Sequence, residues 1–174
     1  MAMVLLGACH AAPAPPPDRL HIALSPASFA ERLSLQQRVH VEQAGREVDF
    51  DAVLDIDSTT ITLVGMMMGQ RIFTLRYDGS NVTESRSAFL PKEVRAEDVL
   101  SDIQLALWPA EAVRSALPAG WSLGDDSTKR VLSQDGIPRT TITYAATPRW
   151  TGVVTLQDEQ FGYRLVIRSV AADQ

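Results

Sequence analysis

The sequence predicts a mainly β chain of α+β type: a large curved antiparallel sheet, forming a half-open β-barrel, with helices covering its concave face. Three observations carry that expectation. Apolar residues recur at every second position through most of the chain, the period of strands with one buried face. Once, in the middle, the period lengthens to that of a helix. The resulting order is four or five strands, two helices and about four more strands, with no internal repeat and no linker among them. An incompletely closed barrel whose mouth is plugged by two helices satisfies that order and covers an apolar sheet face.

Residues 33–42 open the pattern, with Leu33, Leu35, Val39 and Val41 on one face and Gln36, Arg38, His40 and Glu42 on the other. Ala44-Gly45 supplies a hairpin turn, after which Phe50, Ala52, Leu54 and Ile56 alternate with acids at Asp49, Asp51, Asp55 and Asp57. A turn at Asp57-Ser58 leads to Ile61 and Leu63 set against Thr60 and Thr62. Residues 71–77 place Phe73, Leu75 and Tyr77 on one face before the strong turn signal Asp78-Gly79, and a fifth strand is expected at 81–86.

From 96 to 108, Val99, Leu100, Ile103, Ala106 and Leu107 fall at helical spacing, with Glu97 and Asp98 in the first turn where the helix dipole favours negative charge. Pro109 stops this helix and suits the first turn of a second, whose apolar side holds Val113, Ala116 and Leu117; Pro118 and Gly120 end it. Strands are expected again at 128–132, 139–145, 152–157 and 163–170. A sheet with helices laid on it leaves room for an apolar cavity between them. Candidate lining residues are Leu63, Phe73, Leu75, Tyr77, Leu100, Ile103, Leu107 and Trp108, with Trp108 foremost because it sits where the two helices join.

With 45% hydrophobic and 21% charged residues the chain has the composition of a folded globular protein, and 174 residues suffice for one domain with a substantial core. Sixteen basic against 21 acidic residues give a net charge of −5, and no basic patch is visible, which argues against nucleic acid as a partner. A purely electrostatic hold on anionic lipid is disfavoured for the same reason.

The single cysteine excludes an internal disulfide and a thiolate-rich metal site, and its position is informative. Leu6-Gly7-Ala8-Cys9 fits the lipobox of bacterial lipoproteins, in which small residues let the signal peptidase approach the backbone and the cysteine sulfur takes the lipid. Residues 1–8 are then a signal-peptide remnant, 9–19 a lipidated Ala/Pro-rich tether of extended, semi-rigid character, and 20–174 one β domain. The segment before Cys9 carries no Lys or Arg, so the native start is expected upstream. His10 follows the cysteine where inner-membrane retention in enterobacteria uses Asp, and outer-membrane localisation is the expectation.

Other constellations point to no chemistry. His10, His21 and His40 lack ligand spacing, so no metal or other cofactor is expected. Asp49, Asp51, Asp55 and Asp57 spread over about 27 Å of strand, too far for one ion, and read as a solvated outer face. No G-x-S-x-G elbow is present and the serines lack a nearby His with an orienting acid, so the chain is not expected to be an enzyme. Trp108, Trp121 and Trp150 read first as core or junction anchors.

The run Thr60-Ile61-Thr62-Leu63-Val64-Gly65-Met66-Met67-Met68-Gly69-Gln70-Arg71-Ile72-Phe73-Thr74-Leu75 resembles the third and fourth strands of LolB, the outer-membrane lipoprotein that receives lipoproteins from LolA and inserts them. The stretch from Ala96-Glu97-Asp98-Val99-Leu100 through Trp108-Pro109 to Leu117 resembles its middle helices. Phe50-Asp51-Ala52-Val53-Leu54, Gly69-Gln70-Arg71, Leu75-Arg76-Tyr77-Asp78-Gly79 and Leu105-Ala106-Leu107-Trp108-Pro109 are similar to a LolB-like lipoprotein family encoded beside aryl-polyene biosynthesis genes. The resemblance covers nearly everything after Leu20 and implies a LolA/LolB-like fold.

In LolB the loop between those strands carries a protruding leucine just before a glycine, needed for inserting lipoproteins into the membrane. The matching position is Met68, and Met66, Met67, Met68 and Gly69 are the implied membrane- or acyl-probing loop. Three consecutive methionines cannot all point to one strand face, so at least one is expected at an exposed tip. Methionines that fill gaps at the rim of the core are the competing reading. The function expected from the resemblance is an outer-membrane lipoprotein that binds acyl, lipid or lipoprotein cargo and helps deliver it to the membrane. An aryl-polyene lipid is one candidate cargo, and a LolA-like soluble carrier is a candidate partner. The alternative is an accessory or scaffold lipoprotein of an envelope biosynthesis assembly.

Overall fold

A computed structural model of the chain describes residues 19–88, 90 and 94–172. Ten strands pair antiparallel in a single sheet. In chain order they are β1 (Leu33–Gln43), β2 (Arg46–Ile56), β3 (Ile61–Met67), β4 (Gln70–Tyr77), β5 (Val82–Arg86), β6 (Trp121–Asp125), β7 (Lys129–Gln134), β8 (Ile137–Tyr144), β9 (Gly152–Asp158) and β10 (Tyr163–Ala171). The helices α1 (Ala96–Leu107) and α2 (Ala110–Ala116) stand between β5 and β6, and a 3₁₀ turn at Pro26–Phe29 precedes β1. The spatial order is β5-β4-β3-β2-β1-β10-β9-β8-β7-β6, so β5 and β6 are edges and the sheet is open, not closed into a barrel.

Side-chain contacts require that the open sheet curl. Helix α1 touches β4 and β5 at one side of the sheet. Its last carbonyls accept hydrogen bonds from the other side, Leu105 from Arg130 of β7 at 2.7 Å and Ala106 from the Tyr144 hydroxyl of β8 at 2.8 Å. Eight strand spacings separate β5 from β7, about 38 Å if laid flat, against a helix only about 10 Å across. One helix meets both only because the sheet wraps around it.

The alternation read from the sequence sets the faces. Leu35 is opposite Leu54, Leu54 opposite Leu63, and Leu63 opposite Leu75, a row of buried side chains on the inner face. Leu100, Trp108 and Val113 from the helices and Ile22 from the N-terminal segment pack against that row and against Ile142 and Leu156 of β8 and β9. On the outer face, Arg38 is opposite Asp51 and His40 opposite Asp49, exposed or half-exposed. Helix α1 begins with Glu97 and Asp98 at its positive end and stops before Pro109, as its sequence predicts.

Two expectations need correction. The short edge strand β6 was not anticipated: only Leu123 of its five residues is buried, too little alternation to register as a period. Asp57 does not share the outer face of β2. It lies beyond Ile56, where its carboxylate accepts hydrogen bonds from the Thr59 and Thr60 backbone and the Thr59 hydroxyl, and these hold its pKa down at about 2.

Residues 19–24 form a strap along α1. Ser101 Oγ accepts from the Ile22 amide at 2.7 Å and donates to the Leu20 carbonyl at 3.2 Å. Gln104 binds the Leu24 amide and carbonyl, each at 2.8 Å. The Tyr77 hydroxyl donates to the Ala23 carbonyl at 3.3 Å. The strap therefore satisfies its backbone with side chains, not with a neighbouring strand.

Candidate functional site

Strands β3 and β4 are joined by the two-residue turn Met68-Gly69, with φ of 50° and 74°. Positive φ at both central residues makes this the turn whose twist suits a tight hairpin. Glycine adopts it freely, whereas a methionine there carries an energetic cost of about 1–2 kcal/mol. Met68 gains no packing in return, being 98% exposed. One methionine of the three thus stands at the tip. Met66 is opposite Asp51 and half-buried, and Met67, also half-buried, packs against the core. A register shift between Gly65 and Met66 displaces β3 against β4 just before the turn.

Strand β2 runs past the end of β3, because Asp51 is opposite Met66 while β2 itself begins at Arg46. The step between the two hairpins is a groove of about 440 Å³. Val48 and Phe50, with Met66, Met67 and Met68, supply its apolar wall, and the Arg38–Asp51 pair (2.9 Å) lies on its rim. Val48 is 40% exposed, so part of this wall faces solvent. The sequence pattern placed Phe50 on the apolar face of its strand but marked neither it nor Val48 as a site residue, because the groove arises from the stagger of two hairpins and not from either strand alone.

The eight residues expected to line a cavity are all in the packed interior. Leu63, Phe73, Leu75, Tyr77, Leu100 and Trp108 are buried members of the core, and Ile103 and Leu107 pack against it half-buried. Trp108 packs against Phe29 with ring centroids 4.9 Å apart and planes tilted by 42°, and donates its indole N–H to Ser28 Oγ at 2.9 Å. These side chains fill space between sheet and helices, and a chain entering there has to displace them or the strap. Cys9 and most of the 9–19 tether lie outside the described residues; Arg19 is the first described residue of the segment.

At the start of the strap is a polar cluster that the sequence reading missed. Arg19 is bonded to Asp102 at 2.9 Å, to Asp98 at 3.3 Å and to the Tyr163 hydroxyl, and lies 5.0 Å from the Tyr163 ring centre. Tyr163 donates to Asp102 at 2.8 Å, and His21 meets Asp98 at 2.8 Å. Burial pushes Asp102 up to about 6 even though Arg19 and Tyr163 pull it down. Burial and the adjacent carboxylates raise Tyr163, which stays a neutral donor. Two acids one helical turn apart, Asp98 and Asp102, were the available signal.

His40 contacts Glu42 and Asp49 at 3.2 Å on the outer face, away from the Arg19 cluster. Among the described residues no group of three or more His, Cys, Asp or Glu has metal-binding geometry, and no helix is long and apolar enough to cross a membrane. Residues 34–171 match the family described as protein of unknown function (DUF3261). No curated protein matches the chain.

Proposed function

The chain belongs to the DUF3261 family of proteins of unknown function, and on that premise we propose a lipid-handling envelope protein of the LolA/LolB kind. In this reading Cys9 carries the lipid anchor, the domain works at the periplasmic face of the outer membrane, and acyl-bearing cargo is bound without covalent chemistry. The observation that carries the proposal is Met68: a long apolar side chain held fully exposed, in a backbone conformation unfavourable to it, beside an apolar groove. A turn selected for stability alone would place Asn or Gly there.

Because the interior is packed, this reading takes the groove at the hairpin step, and not the concave face, as the first contact. An acyl chain laid against Val48, Phe50 and Met67 gains about 0.8 kcal/mol for each CH₂ removed from water. Methionine side chains adapt to chains of different shape, which suits lipid or lipoprotein cargo. Release needs only a competing apolar phase, and a bilayer within reach of the tether provides one. An aryl-polyene lipid and delivery from a LolA-like soluble carrier remain part of the proposal through the sequence resemblance alone.

Titration of the protein with a fluorescent fatty acid tests this reading. Saturable binding that weakens at least tenfold in Met67→Asp supports it, and no saturable binding overturns it. The filled interior favours, in that event, the accessory or scaffold reading, in which the edges β5 and β6 hold an envelope assembly together.

A further inference from the structure

Four large apolar side chains are exposed among the described residues: Val48, Met68, Ile137 and Val170. Three of them lie at the same end of the sheet on three different hairpins. Val48 follows the β1–β2 turn, Met68 forms the β3–β4 turn, and Ile137 follows Asp135-Gly136, the β7–β8 turn. Ile137 is 56% exposed. The β9–β10 turn, with half-buried Phe161, lies between them at that end. Val170 is at the other end, opposite Gln36 near the start of β1.

The registers show how these turns relate. Gln43 is opposite Tyr163, and Asp158 opposite Thr140, so β8 runs three residues beyond that level to reach Ile137. On the other side, Met66 is opposite Asp51, so the Met68 turn stops short of the β1–β2 turn. The β1–β2 and β9–β10 turns are therefore level, with the Met68 turn short of them on one side and the β7–β8 turn beyond them on the other. A strand tilt of about 40° to the axis, typical of barrels, would offset such a step.

Arg19, the first described residue, lies at this same end. Arg19 is fixed to Tyr163, the first residue of β10, and Cys9 is ten positions before Arg19. Ten residues reach at most about 35 Å. We propose that this end of the sheet is a bilayer-docking surface, with Ile137 as a second apolar contact apart from Met68 and Val48. The proposal rests on the lipid-handling reading above for its occupant, and adds an orientation: all four turns face the membrane and Val170 faces away. Contact is by apolar tips and not by charge, since the acids Glu47, Asp49, Asp135 and Glu159 near those turns offset the bases Arg46, Arg71 and Arg164.

The test uses the full chain with Cys9→Ser, so that no lipid anchor contributes, and single cysteines at Met68→Cys, Ile137→Cys or Val170→Cys carrying an environment-sensitive dye. Phosphatidylcholine vesicles are the probe. Blue-shifted emission at 68 and 137 with none at 170 supports the docking surface. Ile137→Glu, in otherwise unlabelled protein, should lower vesicle partition at least fivefold with an unchanged circular dichroism spectrum. A shift at 68 without one at 137, or equal shifts at 137 and 170, overturns the proposal. If neither 68 nor 137 shifts while fatty acid still binds saturably, the docking surface fails and the lipid-handling reading stands. Loss of fatty-acid binding with both shifts present is the reverse case.

Discussion

Gln104 does for Leu24 what a neighbouring strand would do: its Oε1 accepts from the Leu24 amide and its Nε2 donates to the Leu24 carbonyl, both at 2.8 Å. The side chain is wholly buried in the middle of α1. Through this pair the strap is part of the folded domain. Gln104→Leu leaves both backbone groups of Leu24 without a partner, and the expected loss is about 2–4 kcal/mol of stability. Urea unfolding checks the magnitude, and hydrogen exchange at Leu24 checks the place. An unchanged exchange rate there would contradict the role given to Gln104.

Asp102 predicts a pH dependence with a definite sign. Its folded pKa, raised to about 6 by burial against the attraction of Arg19, lies above the usual carboxylate value. The folded state therefore binds its proton more tightly than the unfolded chain does. The stability from this group is complete below about pH 4 and is lost as pH rises through about 6. Asp102→Asn removes that dependence. The stability difference, wild type minus variant, should fall by about 2 kcal/mol between pH 4 and pH 7. A difference that grows with pH would mean that the ionised pair with Arg19 dominates instead.

Met68→Gly separates stability from function. Relief of the left-handed backbone at 68 should raise stability by about 1 kcal/mol, since Gly69 already satisfies the other half of the turn. The same change removes the exposed side chain, and binding of fatty acid or vesicles should fall. A variant more stable and equally able to bind would assign Met68 no role.

Among the described residues Trp108 is the largest fully buried side chain, and it joins the two helices to the strap region through Phe29 and Ser28. Trp108→Ala should cost about 3–5 kcal/mol in thermal or urea unfolding. A cost under 1 kcal/mol would show that the junction collapses around the gap.

Much of this architecture was legible because burial of one sheet face imposes period two. Leu33, Leu35, Val39 and Val41, then Ala52, Leu54 and Ile56, announce their strands and their shared face. The helices were legible because Pro109 and the acids at 97 and 98 mark their limits. Strand β6 was not, since an edge strand with Leu123 alone buried carries no alternation. The Asp135-Gly136 turn sits in the sequence in the same form as Asp78-Gly79, yet the exposure of Ile137 beside it depends on how far β8 runs past β9. The Met66–Gly69 tip could be read locally, whereas the groove beside it is a property of register between hairpins. The strap's bonds follow no periodicity because each joins a side chain to a backbone group 54 to 81 positions away in sequence.

The most direct test of the lipid-handling account is cross-linking with a photoreactive fatty acid, with the attached residues mapped by mass spectrometry. The account predicts saturable labelling of Val48, Phe50 and Met66 to Met68, competed away by unlabelled fatty acid and lost in Met67→Asp. Labelling spread over the surface without competition, or absent from that groove, would contradict it.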